Sequence, residues 1–181
     1  MMEKKVIFID VDGPLAWATW DDGKVTLREG SHFEFQIPYP WVKEDCEALQ
    51  KICDATDAEL VVSSDWKHHF SFIQLKHIFQ HYGITANIID ITTHMNARQT
   101  GAWHKMSNPS IDFERATQIL KWAKDNKVSN WIAIDDLNLS EAFKWMTPRE
   151  PMWRHVQVDG DWGFGGRLRD KVNECIKKLE R

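Results

Sequence analysis

Three short stretches of this chain place oxygen-bearing side chains where an apolar run ends. The first is Asp10-Val11-Asp12-Gly13, which follows Val6-Ile7-Phe8-Ile9. Two carboxylates two residues apart, before a glycine that lets the chain turn sharply, can divide the work of nucleophile and proton donor. The second is Ser63-Ser64, after Leu60-Val61-Val62. A hydroxyl and a backbone N–H at that place can hold a phosphate oxygen. The third is Asp135-Asp136, after Trp131-Ile132-Ala133-Ile134. Adjacent carboxylates repel, and a hard cation is a physical reason to put them together. Phosphoryl transfer through a covalent intermediate needs these parts: a nucleophile, a proton donor for the leaving alcohol and a cation to gather charge. Each stretch alone also reads as a polar turn after a strand. Only the three together argue for chemistry.

These residues share one site only if the strands that carry them lie side by side. Val6 to Ile9 reads as a buried parallel strand, being continuous, β-branched and aromatic. Asp21-Asp22-Gly23 signals a turn, and Lys24–Leu27 and His32–Ile37 alternate like a β-hairpin that Pro38 and Pro40 end. Val42, Cys46, Leu49, Ile52 and Cys53 recur at helical spacing over Trp41–Ala55. Glu59–Ser63 is a second buried strand, Phe70–Tyr82 a helix closed by Gly83, and Asn87–Ile91 a third strand. Thr92–Ser110 is polar and irregular. Asp112 can cap a helix running to about Asn126, before a fourth strand at Trp131–Ile134. A short strand at His155–Val158 and a helix at Leu168–Leu179 close the chain. Buried strands alternating with helices imply an α/β fold, a three-layer Rossmann-like parallel sheet. In such sheets ligands sit beyond the C-terminal strand ends, where Asp10, Ser63 and Asp135 all fall.

Composition narrows the function further. The 181 residues suit one domain spanning 1–181, and 43% of them are apolar. A net charge of -4 does not suggest general affinity for nucleic acid or membranes, although a local basic patch is compatible with it. Ten tryptophans are spread along the chain. Most are expected in the core, and one or two near a cleft could stack on a base. Cys46, Cys53 and Cys175 form no CxxC pair, so neither a disulfide framework nor a zinc site is expected, and a reducing cytoplasm fits. The Met1–Lys5 segment leads into a strand too short for a signal peptide, and no run approaches membrane-spanning length.

In this order, the motifs resemble the haloacid dehalogenase superfamily of phosphohydrolases. Asp10-Val11-Asp12-Gly13 matches its first motif, Ser63 its second and Asp135-Asp136 its fourth. Arg115 is the best match to the third motif, a Lys or Arg before the acidic strand, with Lys121 and Lys105 as alternatives. The resemblance implies that Asp10 takes up the phosphoryl group and that Asp12 protonates the leaving oxygen, then activates water. It implies Mg²⁺ held by the Asp10 carboxylate, the Asp12 backbone carbonyl and Asp135, with Asp136 binding metal through water or orienting Arg115. Ser63, Ser64 and Arg115 would hold the transferred phosphate. Pro14 departs from the pattern, standing where Thr commonly follows, and removes one hydroxyl and one N–H.

Superfamily members differ in inserted cap domains. Here a β-hairpin flap at about 16–40 is all that follows the first motif, so no large cap domain is expected. Ser63-Ser64-Asp65-Trp66-Lys67 looks like a Ser-Ser-x-Trp-Arg stretch in phosphatase domains associated with RNA-repair proteins, and Arg115–Trp122 and the Gly163–Gly166 loop are similar to those domains too. That likeness implies a phosphorylated substrate that is a nucleotide or nucleic-acid end, with Lys67, His68 and His69 as a basic rim. Without a cap, only the hairpin and the Thr92–Ser110 loop can reach over the site, which puts Trp20 and Trp103 at the substrate rim. The alternative is a catalytically weak module of the same fold that binds a nucleotide or another phosphate ligand. Oligomeric state is not legible.

Overall fold

The computed structural model describes residues 4–16, 23–29, 33–93, 111–146, 151–159 and 166–181. Strand β1 (Lys5–Ile9) is the centre: Val6, Ile7, Phe8 and Ile9 are at most 1% exposed. Its neighbours are β4 (Glu59–Val62) and β6 (Asn130–Asp135), each parallel to it. With β5 (Ile88–Ile91) and β7 (His155–Gln157) they form a sheet of order β5-β4-β1-β6-β7, parallel throughout. Strands buried on both faces read as unbroken apolar runs, as Val6–Ile9 and Trp131–Ile134 do.

Alternation along β1 sorts the helices into two layers. Ile7 and Ile9 face one cluster, with Cys46, Leu49 and Ile52 of α1 (Lys43–Thr56), Leu75, Ile78 and Phe79 of α2 (Phe72–His81), and Cys175 and Leu179 of α5 (Val172–Leu179). Val6 and Phe8 face the other, with Ala116, Ile119 and Trp122 of α3 (Ile111–Asp125) and Leu139, Ala142 and Phe143 of α4 (Leu139–Met146). Phe8 meets Trp122 and Trp131 edge-on, with ring centroids 5.5 and 5.4 Å apart. Trp41, Trp66, Trp122 and Trp131 are thus core residues, whereas Trp145 is 66% exposed. The three cysteines are buried free thiols, each pushed up to about 12 chiefly by burial.

The expected three-layer parallel sheet and the small hairpin are both present. Strands β2 (Val25–Glu29) and β3 (Phe33–Ile37) pair antiparallel. Leu27 and Ile37 point inward, and Phe35 packs against Phe70 at 6.1 Å.

Three local expectations need correction. Helix α3 begins at Ile111, so Asp112 stands in its first turn, where a carboxylate complements the exposed N–H groups. The Leu168–Leu179 helix is broken: a 3₁₀ turn at Leu168–Asp170 precedes α5, and Lys171 leaves helical geometry between them. Helix α4 was not anticipated, although Leu139, Ala142 and Phe143 carry its three- and four-residue spacing.

One buried ion pair ties α1 to the C-terminal segment. Asp45 is fully buried and accepts from Arg167 Nε at 2.9 Å, from Arg167 Nη2 and from the Arg169 backbone N–H at 3.2 Å. Removing one partner of such a pair is expected to cost about 3–5 kcal/mol. Asp45→Ala should therefore lower the urea midpoint by that equivalent. A loss under about 1 kcal/mol would put the pair with ordinary surface bridges.

Candidate active site

The parallel ladder runs past the strand ends and fixes the candidate residues. The Asp10 N–H donates to Ile134 O at 3.0 Å, that of Ser63 to Ile9 O at 2.9 Å, and that of Thr92 to Val62 O at 2.9 Å. Asp10, Ser63, Thr92 and Asp135 thus line one edge of the sheet, each at most 5% exposed. Gly13 then turns the chain with φ +88°, a conformation that side chains resist. A Cβ there would also lie 2.8 Å from the Asp136 side chain. The turn closes on Val11 O, which accepts from the Leu15 and Ala16 N–H groups, so it makes no use of the N–H that Pro14 lacks.

Arg115 reaches this edge from α3. Its Nη1 lies 3.0 Å from Asp10 Oδ2, 2.9 Å from Asp135 Oδ2 and 2.6 Å from Ser63 O, and its Nη2 lies 3.3 Å from Asp65 Oδ1. Burial opposes the guanidinium charge, but Asp10, then Asp135 and Asp65, outweigh it and raise its pKa. Lys121, the alternative on the same helix, pairs instead with Asp125 at the surface. Lys105 lies outside the described residues.

Oxygen atoms of Asp10, Asp135 and Asp136 lie within 4.8 Å of one another. Burial pushes the Asp135 carboxyl well above the usual carboxylate range. Burial, then the Asp10 charge, raises Asp136 to about 6. Buried hard oxygen donors with unbalanced negative charge fit a divalent cation that prefers oxygen ligands. The Asp12 side chain is not part of this cluster. Beneath it, the Ser140 N–H donates to His155 Nδ1 at 3.2 Å, which leaves His155 Nε2 to donate to Asp135 O at 3.3 Å. Burial lowers the His155 pKa to about 4 and keeps the ring neutral.

Asp12 is held separately. Its Oδ1 accepts from Tyr39 OH and from Trp66 Nε1, the latter at 2.9 Å. Burial raises the Asp12 pKa, and these two donors partly oppose that rise. A cavity of about 400 Å³ opens beside it, lined in part by Lys24, Tyr39, Trp66, His69 and Phe70. Lys67, expected at a rim, reaches inward: its Nζ donates to Thr92 Oγ1 at 2.9 Å and to Gln118 Oε1. Burial, then Arg115, lowers its pKa to about 8. The Thr92 hydroxyl lies 3.4 Å from Ser63 Oγ. Ser64 is buried, and its Oγ accepts from the Trp66 N–H at 3.4 Å, capping a 3₁₀ turn at Asp65–His68. His68 and His69 are exposed. Trp20 and Trp103 lie outside the described residues.

Sequence reasoning missed Tyr39, Thr92 and Gln118. Thr92 follows β5 as Ser63 follows β4, so the strand-end rule that found one would have found the other. Gln118 stands three residues after Arg115, on the same helix face. Tyr39 lies between two prolines that signal only the end of the hairpin.

A parallel sheet with Asp10, Ser63 and the Asp135-Asp136 pair at the ends of three adjacent strands is the arrangement expected of the haloacid dehalogenase class. The family model described as the HAD domain in Swiss Army Knife RNA repair proteins matches residues 6–166, and the chain belongs to that family. Neither a curated protein nor a solved structure matches the chain. Membership supports hydrolase chemistry. No helix among the described residues is long and apolar enough to cross a membrane.

The Gly13 geometry carries its own test. Gly13→Ala should destabilise the fold by about 1–2 kcal/mol from the left-handed backbone alone. It should also displace the Asp136 side chain, so the loss of Tm should exceed that of the backbone conformation alone. An unchanged Tm would contradict the close packing of Gly13 on Asp136.

Proposed function

We propose that this protein is a magnesium-dependent phosphohydrolase that works through an aspartyl phosphate on Asp10 and acts on the phosphate ends of nucleotides or polynucleotides. The observation that carries the reading is the convergence of Asp10, Asp135 and Asp136 around one point, with Asp12 beside it at the mouth of a cavity.

Asp10 attacks phosphorus, and the bond to the leaving oxygen breaks as Asp12 gives it a proton. Water then attacks the phosphorus of the aspartyl phosphate, Asp12 takes the water's proton, and Asp10 is released. Ser63 and Arg115 hold the equatorial oxygens, and Lys67 adds a second positive charge to that wall. Asp10, Asp135, Asp136 and the Asp12 carbonyl would hold Mg²⁺, which when bound neutralises charge on the transferring group. Ser64 supports the wall through its cap. Residues 1–181 act as one domain, and the 16–40 flap takes the part that a cap plays elsewhere.

The substrate class rests on two supports. The family is that of RNA-repair proteins. The cavity beside Asp12 is open to solvent and combines aromatic walls with Lys24 and His69. Rings can stack on a base for about 1–3 kcal/mol each, and cations can contact neighbouring phosphates. Trp20 and Trp103 extend that rim in this proposal on sequence grounds alone. A binding-only module would have no use for a carboxylate held as Asp12 is. A cytoplasmic location is part of the same reading.

Two outcomes follow. Chelation should abolish phosphate release and magnesium restore it, with Asp10→Asn inactive but folded and Asp12→Asn slowed by roughly 10²–10⁴-fold. Turnover by Asp10→Asn would point to direct attack by water. Across phosphorylated oligonucleotides, mononucleotides and sugar phosphates, kcat/KM should be highest for the first two and fall in Trp20→Ala and Trp103→Ala. Preference for sugar phosphates would overturn the substrate class and leave the chemistry at Asp10 standing.

A further inference from the structure

A carboxylic acid that delivers a proton uses one of its two oxygens, and Asp12 has its oxygens in different surroundings. Oδ1 accepts from two donors, Tyr39 OH and Trp66 Nε1. Among the described residues, Oδ2 has no hydrogen-bond partner. An oxygen that already accepts two hydrogen bonds is a poor place for a proton, because a proton there would displace a donor. We propose that Tyr39 and Trp66 are positioning residues for Asp12, fixing Oδ1 as the acceptor so that Oδ2 carries the transferable proton at the cavity Asp12 lines. The proposal rests on the phosphohydrolase reading above and adds to it the two residues that orient its acid.

The surroundings keep this clamp rigid. Trp66 is 3% exposed and lies edge-on to Tyr39 and Trp41, with ring centroids 5.8 and 5.5 Å apart. It also packs on Phe70 at 5.2 Å. Trp66 comes from the 3₁₀ turn after β4, and Tyr39 follows flap strand β3. The acid that follows β1 is therefore gripped by two separate segments, both of which line the same cavity. In the first step the Asp10–phosphorus bond forms, the phosphorus–leaving oxygen bond breaks, and the Oδ2 proton moves to that oxygen. In the second, water bonds to phosphorus, the Asp10–phosphorus bond breaks, and Oδ2 regains a proton from the water.

The test is the dependence on leaving group, which a merely structural role would not change. A poor leaving group needs the proton, and a good one departs without it. The measured quantity is kcat/KM, which reports the first transfer and is unaffected by hydrolysis of the intermediate. The probes, with magnesium, are the alkyl ester at the 5′-phosphate end of an oligonucleotide and the aryl ester 2,4-dinitrophenyl phosphate. Tyr39→Phe should lower kcat/KM about tenfold on the alkyl ester, the equivalent of one hydrogen bond, and less than about twofold on the aryl ester. In an Asp12→Asn background Tyr39→Phe should add nothing, since the group it orients is gone. Trp66→Phe should show the same selectivity; if it fails to fold, Tyr39→Phe decides alone. Equal losses on both esters, or no loss on either, overturn the proposal. Failure of the wild type to release phosphate from either ester overturns the phosphohydrolase reading, and this proposal with it.

Discussion

Asp10 and Asp135 approach the same nitrogen of Arg115 from the ends of adjacent parallel strands, 3.0 and 2.9 Å away. Parallel pairing in register forces that meeting, because Ile9 sits opposite Ile134 and the next residue of each strand is an acid. Asp136 and Asp12 follow within two residues, so four carboxylates crowd one edge while Arg115 and Lys67 supply the positive charge. Burial first, and the Asp10 charge after it, raise the pKa values of Asp12, Asp135 and Asp136. Folding brings like charges together here, against their repulsion, and the apolar sheet and its two helix layers supply the stabilisation that holds them. A divalent cation would complete the charge balance, which is why these residues are read as a reaction centre and not as an acidic turn.

Several features serve that edge and not the core. Gly13 gives the chain a turn that keeps Asp12 near Asp10 and leaves room for Asp136. His155, neutral and buried, donates to the backbone carbonyl of Asp135 from below. The Thr92–Gln118–Lys67 network joins α3, the end of β5 and the turn after β4 behind Ser63. Each is a polar group buried with partners, as an interior requires. Together they limit how far the carboxylates can move apart.

The sheet was legible because its strands are continuous apolar runs and its helices keep the 3.6-residue period. Asp10, Ser63 and Asp135 were legible because a parallel sheet puts its ligands at strand ends. Arg115 could be named only by resemblance, since a single basic residue on a helix carries no period or turn signal of its own. Tyr39 escaped notice for a different reason. Its role depends on how the flap folds back over β1, a long-range contact that local pattern does not encode. Ser64 and Lys67 stand beside Ser63, and their contacts within the chain were not legible: one caps a turn, and the other faces inward to Thr92 and Gln118. The short helix α4 carries too few turns for its spacing to stand out.

The central claim is that Asp10 becomes covalently phosphorylated. Borohydride reduces an acyl phosphate to an alcohol, so quenching the protein during turnover of a phosphate ester would convert a phosphorylated aspartate to homoserine. Peptide mass mapping then locates the change. The account predicts homoserine at position 10, dependent on both substrate and magnesium. Continued phosphate release with Asp10 unmodified would contradict it.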